Sequence, residues 1–75
     1  MTDQRSIEYQ KLVEETIATE PELRGEQELS IMTEVHNRHR EEVERIEQSW
    51  GNDMDDSDIT GHEMAIVLNV KRMRV

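Results

Sequence analysis

The sequence has 75 residues, no cysteine and a formal net charge of −9. Its length allows one domain, spanning residues 1–75, with a small core, and the missing cysteines exclude disulfides and thiolate metal sites and favour a cytoplasmic location. No apolar run approaches the roughly 20 residues of a membrane span, and the acidic balance disfavours direct nucleic-acid binding, because Lys and Arg supply most of the affinity for phosphate.

The first predicted helix covers residues 3–18. Its apolar side chains lie near one helical face, at Ile7, Leu12, Val13 and Ile17. This is the spacing of an amphipathic helix. Pro21 and Gly25 then interrupt the pattern, because proline lacks an amide donor and glycine is conformationally permissive. We therefore predict a turn or a short helical corner over residues 19–25.

A long second helix is predicted from about Glu26 to Trp50. Its apolar and histidine side chains alternate in steps of three and four over three heptads, at Leu29, Met32, His36, His39, Val43, Ile46 and Trp50. This spacing is typical of a helix that packs along one seam. Opposite charges at i and i+4, such as Glu34 with Arg38, support the outer face. Gly51 is placed to end the helix in a left-handed conformation.

The third predicted helix begins at Gly61, after a polar loop over residues 52–58. Thr60 and Glu63 have the spacing of a capping box, in which each side chain bonds a free backbone amide of the first turn. The apolar residues that follow run almost all round the helix, which predicts burial on most sides. Their β-branched content also permits a strand over residues 64–75.

These elements predict an all-α domain of three helices, a helical hairpin with a long central helix plus a buried C-terminal helix. Its core must come from Leu, Ile, Val and Met, because the chain has no Phe and only one Trp. Association often reinforces so small a core, so we expect a homo-oligomer or a complex with another protein. The residues predicted to bind the partner are Met32, His39, Val43, Ile46 and Trp50, with Trp50 as the anchor.

Two sets of side chains on the second predicted helix have the spacing of metal ligands. His36 and His39 lie three residues apart and, with Glu42, offer two imidazoles and a carboxylate for Zn²⁺. Glu41 and Glu44 repeat that spacing, which suits Mg²⁺ when another helix supplies further carboxylates. A solvated charged face produces the same pairs. We prefer the solvated-face interpretation to a metal site, and we predict no cofactor.

The last third of the sequence shows a recognisable order of residues. It has a Trp, then an Ile-Thr pair, an acidic residue, an apolar helix and two basic residues, at Trp50, Ile59, Thr60, Glu63, Ala65, Leu68, Lys71 and Arg74. This order resembles a family of small all-α proteins of unknown function from bacteriophages and prophages, in which a Pro stands at the position of Gly61. The resemblance covers about a third of the chain and implies a phage-type protein acting in the host cytoplasm.

A second, more distant resemblance concerns the acidic pairs. Glu41 and Glu44 are similar to the first pair in the all-α nucleotide pyrophosphohydrolases, whose metal sites use Glu-x-x-Glu followed by Glu-x-x-Asp. Glu63 is followed at that distance by Ile66, so the second pair is missing. The resemblance implies a metal-dependent hydrolase assembled from several copies.

The function expected from the sequence is a small acidic protein–protein interaction module. Its charge suits a basic partner surface, which makes inhibition of a host nucleic-acid-binding or defence enzyme a specific form of this hypothesis. No Gly-rich phosphate loop, Ser elbow or Cys nucleophile is present, so an enzyme is not the first expectation. A metal-dependent nucleotide pyrophosphohydrolase and a structural virion component stay open as alternatives.

Overall fold

Four α-helices form the described part of the chain. The computed structural model describes residues 4–51 and 56–73. In chain order the helices are α1 (Gln4–Thr19), α2 (Glu28–Arg38), α3 (Arg40–Gly51) and α4 (Asp56–Met73), with a 3₁₀ helix (Pro21–Gly25) between α1 and α2. Within these ranges there is no strand, so the all-α class is confirmed. None of these helices is both long and apolar enough to cross a membrane.

The core is enclosed by all four helices. α1 packs against α2, α3 and α4. The buried apolar residues are Tyr9, Val13, Ile17, Leu23, Ile31, Met32, Val35, Val43, Ile46, Trp50, Ile59, Ile66, Val67 and Val70. They recur every three or four residues along each helix, which places one face of each helix inward. Since most are aliphatic, Tyr9 and Trp50 supply the only large rings in this core.

The pairing of α2 with α4 is antiparallel and fixes the position of several polar groups. Near the end of α4, the Lys71 ammonium donates a hydrogen bond to the backbone carbonyl of Glu26 at 2.8 Å and lies 3.3 Å from the Glu28 carboxylate. Near the other end of the pair, His36 of α2 contacts Glu63 of α4. These two contacts hold the helices together at both ends.

The long central helix predicted from the sequence is two helices, so the predicted count of three is wrong. His39 separates α2 from α3 with φ −126° and ψ 43°, outside the helical region. Its backbone still bonds on both sides, since its amide donates to Val35 and its carbonyl accepts from Val43, each at 2.9 Å. The break allows the buried faces of two short helices to meet one core, which a single straight rod cannot do.

The C-terminal helix begins earlier than predicted, and the predicted capping box is wrong. α4 starts at Asp56, so Thr60 lies inside the helix and Glu63 lies on its inward face with 2% of its surface exposed. Acidic residues near the start of α4 favour the positive end of a helix, and this competes with the start signal at Thr60. Residues 52–55 of the predicted loop lie outside the described residues.

Two further expectations are settled by the backbone of the same helices. α4 continues to Met73, so residues 64–73 are helical and not a strand. Gly51 is the last residue of α3 and has no positive φ. The helix therefore does not end there by the left-handed conformation that was predicted.

The seam predicted for partner binding is buried inside the chain's own fold. Val43, Ile46 and Trp50 are exposed by 2% or less and Met32 by 5%, whereas Leu29 is 61% exposed. The exposed apolar stripe expected over residues 29–50 is therefore absent from the folded chain. The assignment of these residues and of half-buried His39 to partner binding stays a prediction, as does self-association.

Candidate functional site

A histidine and two carboxylates converge from three helices at one place in the fold. They are His36 of α2, Glu47 of α3 and Glu63 of α4, and one donor atom from each lies within 4.8 Å of the others. His36 Nε2 is 3.0 Å from Glu63 Oε2 and 3.6 Å from Glu47 Oε2. This group is called the His–Glu–Glu cluster below.

Glu63 reaches the cluster because it occupies an inward position on a buried helical face. Ile59, Ile66, Val67 and Val70 lie three to seven residues away on α4 and are all buried. The packing of these apolar neighbours carries Glu63 into the interior with them. A carboxylate in such a position requires charged or hydrogen-bonding partners, and His36 and Glu47 supply them.

Aromatic rings form the inner wall behind the cluster. The Tyr9 ring meets His36 edge-on at 6.4 Å between centroids and lies 6.2 Å from Trp50, which in turn packs edge-on against His62 at 4.9 Å. A 2.8 Å hydrogen bond joins Ser6 Oγ to His62 Nε2 and ties the start of α1 to α4. These contacts place the buried rings of Tyr9 and Trp50 on the interior side of His36.

The three cluster residues share protons unequally. Burial, together with the hydrogen bond and negative charge of Glu63, raises the pKa of Glu47 to about 7. Burial also acts to raise the pKa of Glu63, but hydrogen bonds from His36 and Glu47 outweigh it and lower that pKa. The hydrogen bond to Glu63 raises the pKa of His36 against the opposing effect of burial. Glu63 is therefore the carboxyl of the cluster that ionises more readily, while Glu47 keeps its proton up to about pH 7.

Tyr9 brings a fourth helix to the cluster. Its side chain is fully buried, and its hydroxyl makes no hydrogen bond of normal geometry with any described residue. Burial and the neighbouring charges of Glu63 and Glu47 raise the pKa of the phenol, which therefore stays protonated. A buried hydroxyl without a partner is costly by about 1–3 kcal/mol, so this orphaned group beside Glu63 calls for an explanation.

The outer side of the cluster is open. A cavity of 220 Å³ is lined by His36, Arg40, Val43, Glu44 and Glu47, and is called the α2–α3 cavity below. A larger open cavity of 470 Å³ between α3 and α4 also includes Glu44 and Glu47 among its lining residues. The side chains of His36 and Glu47 are 38% and 30% exposed. A small solute can therefore approach the donor atoms without unfolding the chain.

The donor set matches what a divalent cation requires. Imidazole and carboxylate are the common protein ligands of Zn²⁺ and Fe²⁺, and carboxylates suit Mn²⁺ and Mg²⁺. Three protein ligands with the remaining positions open is the usual form of a catalytic metal site. With a cation bound, the Tyr9 hydroxyl would gain a partner in the second oxygen of Glu63, which is the role of the outer residue that orients a ligating carboxylate.

The sequence-predicted metal candidates are only partly brought together. His36 belongs to the cluster, and Glu44 lines both cavities next to it. Glu41 and His39 do not belong to the three-residue group. The exposed side of α3 carries Glu41, as the solvated-face interpretation expects.

Sequence reasoning missed Glu63 as a member of the cluster and Tyr9 as its neighbour, and it did not choose Glu47 among its metal candidates. Glu47 was visible in the sequence as the i+3 partner of Glu44. Glu63 had a signal too, because it is the one charged residue in an apolar stripe that continues from Ile59 to Val70. Comparison with protein-family models, curated protein sequences and solved structures finds no match for this chain.

Proposed function

We propose that this chain binds a divalent metal cation at the His–Glu–Glu cluster and uses it for cation-dependent chemistry. The observation that carries the proposal is the convergence of His36, Glu47 and Glu63 from three helices on one point. Exposed acidic groups cluster by chance in an acidic chain, but Glu63 is buried, and no residue in the described ranges forms a hydrogen bond of normal geometry with the Tyr9 hydroxyl beside it. Chance clustering on a surface accounts for neither feature.

The chemistry proposed for the cation is Lewis-acid activation of a bound water or substrate oxygen. A cation with three protein ligands keeps positions for such oxygens, and it lowers the pKa of a bound water towards neutrality. The metal-dependent hydrolase that the sequence left as an alternative is thereby favoured over its first expectation. The cluster contains neither Glu41 nor Glu44 of the first acidic pair, and the second pair is missing from the sequence, so the nucleotide substrate of the resembling enzymes is not carried over.

The cation would also stabilise the fold, because it joins three helices of a chain with a small core. Ligands that bind only the folded state stabilise it by about 2.7 kcal/mol at a free concentration 100 times Kd. In a domain of this size such a gain raises the Tm by roughly 10–20 °C. Mn²⁺ and Zn²⁺ are the probes best matched to one imidazole and two carboxylates.

The test is thermal unfolding of the full chain during titration with Mn²⁺ or Zn²⁺, followed by the fluorescence of Trp50. We expect saturable stabilisation of the wild type and its loss in Glu47→Gln, which keeps the shape but removes a ligand charge. Glu41→Gln is the matched control, because it removes an equal charge from the exposed side of α3. Equal stabilisation of all three proteins would rule out the cluster as the binding site.

Partner binding is the second candidate function, and a specific surface favours it. Leu29 on α2 and Met64 and Leu68 on α4 are the large apolar side chains exposed in the described ranges. Met64 and Leu68 lie one turn apart on α4, Leu29 lies on the helix that packs against α4, and we name the three residues the α2–α4 apolar patch. Weak self-association, or the phage-type inhibitor role in the host cytoplasm, would use this patch in place of the buried seam, since a partner contacts only exposed residues.

A further inference from the structure

The coordination of a cation at the His–Glu–Glu cluster is incomplete on one defined side. Mn²⁺ and Mg²⁺ prefer roughly six ligands, and the cluster supplies three donor atoms. Oxygen ligands from outside the chain would fill the other positions. The inner side is closed by Tyr9 and Trp50, which are buried. The α2–α3 cavity is lined by both His36 and Glu47, whereas the larger cavity reaches Glu47 but not His36, so the remaining positions would open towards the α2–α3 cavity.

The size of the α2–α3 cavity selects a small ligand. Its volume is 220 Å³, below the roughly 300–1,000 Å³ of pockets that enclose drug-sized molecules. Its lining has one apolar side chain, Val43, among four ionisable ones. A compact ligand that presents oxygens to the cation suits this space better than an apolar molecule does.

Arg40 gives the cavity a second point of recognition. It is the first residue of α3 and lines the cavity together with His36. Although the chain carries 18 acidic residues against nine Lys and Arg, Arg40 makes no hydrogen bond or ion pair in residues 4–51 and 56–73. Arg38, two residues earlier, is by contrast bonded to both Glu20 and Glu34. A free guanidinium offers paired N–H donors to the oxygens of a phosphate or carboxylate.

The local charge makes the ligand depend on the cation. Without a cation, the carboxylates of Glu44 and Glu63 oppose the Arg40 guanidinium, and the cluster offers an anion no open metal position to bind. Two positive charges at the cluster offset Glu47 and Glu63, so that Arg40 is opposed only by Glu44. An oxyanion is then attracted by the metal and by the guanidinium together.

We infer that the cation-loaded chain binds a phosphate-class oxyanion in the α2–α3 cavity, between the metal and the Arg40 guanidinium. This inference rests on the proposed cation site and names the class of its ligand. Arg40 is a binding residue for the oxyanion and has no role in holding the cation.

The experiment uses the full chain, Mn²⁺ and inorganic phosphate. The ³¹P transverse relaxation of phosphate is measured during titration, with free Mn²⁺ at the same concentration as the reference. We expect saturable line broadening by the loaded protein and no phosphate binding to the cation-free protein by calorimetry. Arg40→Gln is expected to weaken phosphate binding about tenfold, while its Mn²⁺ affinity stays within about twofold.

Arg45→Gln is the matched control. Arg45 lies on the same helix but lines a different cavity, between α1 and α3, so its loss should leave phosphate binding unchanged. Failure of Mn²⁺ to bind would overturn the proposed cation site itself. If Mn²⁺ binds but phosphate relaxes no faster than with free Mn²⁺, the oxyanion inference alone is overturned. Equal phosphate affinity in the wild type and Arg40→Gln would remove Arg40 from the site.

Discussion

Glu63 shows how a single residue sets the properties of the whole site. It is 2% exposed and lies within hydrogen-bonding distance of His36. Burying a charged pair in this way contributes little to stability, because the loss of hydration offsets most of the attraction, whereas removing one partner leaves an unpaired buried charge. Apolar residues would fill this position at lower cost, which is consistent with a binding role for Glu63.

The stability of the cation-free protein is expected to fall as pH rises from 6 to 8. Between the ordinary carboxyl pKa of 4.5 and the value of about 7 that Glu47 has in the fold, the folded state holds more protons than the unfolded state, so rising pH favours unfolding. The raised pKa of His36 acts in the same direction. Its contribution to the stability of the fold is complete below pH 6.5, the ordinary pKa of histidine, and is lost as the pH passes the higher pKa that His36 has in the fold.

Glu47→Gln separates the two contributions to this pH dependence. The amide mimics the protonated carboxyl at every pH, so the Tm of the variant should change less between pH 6 and 8 than that of the wild type. The pH dependence that remains belongs to His36. Cation affinity should show the opposite trend and increase with pH, because the metal displaces these same protons. A wild-type Tm that rises from pH 6 to 8 without added metal would contradict the assigned protonation states.

Tyr9→Phe should affect the fold and the site in opposite ways. Phe keeps the ring that packs against Trp50 and removes a hydroxyl that lacks a hydrogen-bond partner. The free energy of unfolding should therefore stay the same or rise by up to about 1 kcal/mol. Mn²⁺ affinity should fall about tenfold, as when an outer residue that orients a ligand is lost. Loss of stability with unchanged Mn²⁺ affinity would identify Tyr9 as a core residue only.

At the scale of the elements, the sequence predicts the helices better than their ends. The period of apolar residues correctly predicts helices in the regions of α1, α2, α3 and α4, because each helix turns its apolar face to a common core. The break at His39 carries no local signal, since neither Gly nor Pro stands there and the heptad spacing continues through it. Only the packing of two short helices around one core explains it, and packing is not visible in a single segment.

The site was less predictable than the helices, for a related reason. His36 was identified because two histidines share a helical face, but its partners Glu47 and Glu63 lie 11 and 27 residues further along the sequence. The antiparallel pairing of α2 with α4 brings Glu63 to His36, and this pairing depends on the tertiary fold. Glu63 was instead interpreted from its neighbours as a capping residue, which is the commoner role of a glutamate three residues after threonine.

At the scale of the whole molecule, burial reverses the expected use of the apolar residues. The seam that the sequence offered to a partner fills the core, where Ile46 and Trp50 are almost fully enclosed. What remains outside is the α2–α4 apolar patch, on a chain with a net charge of −9. Mutual repulsion between such chains weakens as salt rises. Any association through the patch should therefore strengthen with salt, the reverse of an ionic interface.

Ile46→Val and Leu68→Ser distinguish the core from the patch. Ile46→Val removes one buried methylene, so the free energy of unfolding should fall by about 1 kcal/mol, with no change in the mass that light scattering gives in solution. Leu68 is 38% exposed, so its change to Ser should alter stability by only about 0.5 kcal/mol. If the wild type exceeds the chain mass of 8.9 kDa at high protein concentration and high salt, Leu68→Ser should restore that mass. Equal masses for wild type and Leu68→Ser would exclude the patch as an association surface. Dissociation of the oligomer by Ile46→Val would instead indicate that the chains associate through the predicted seam.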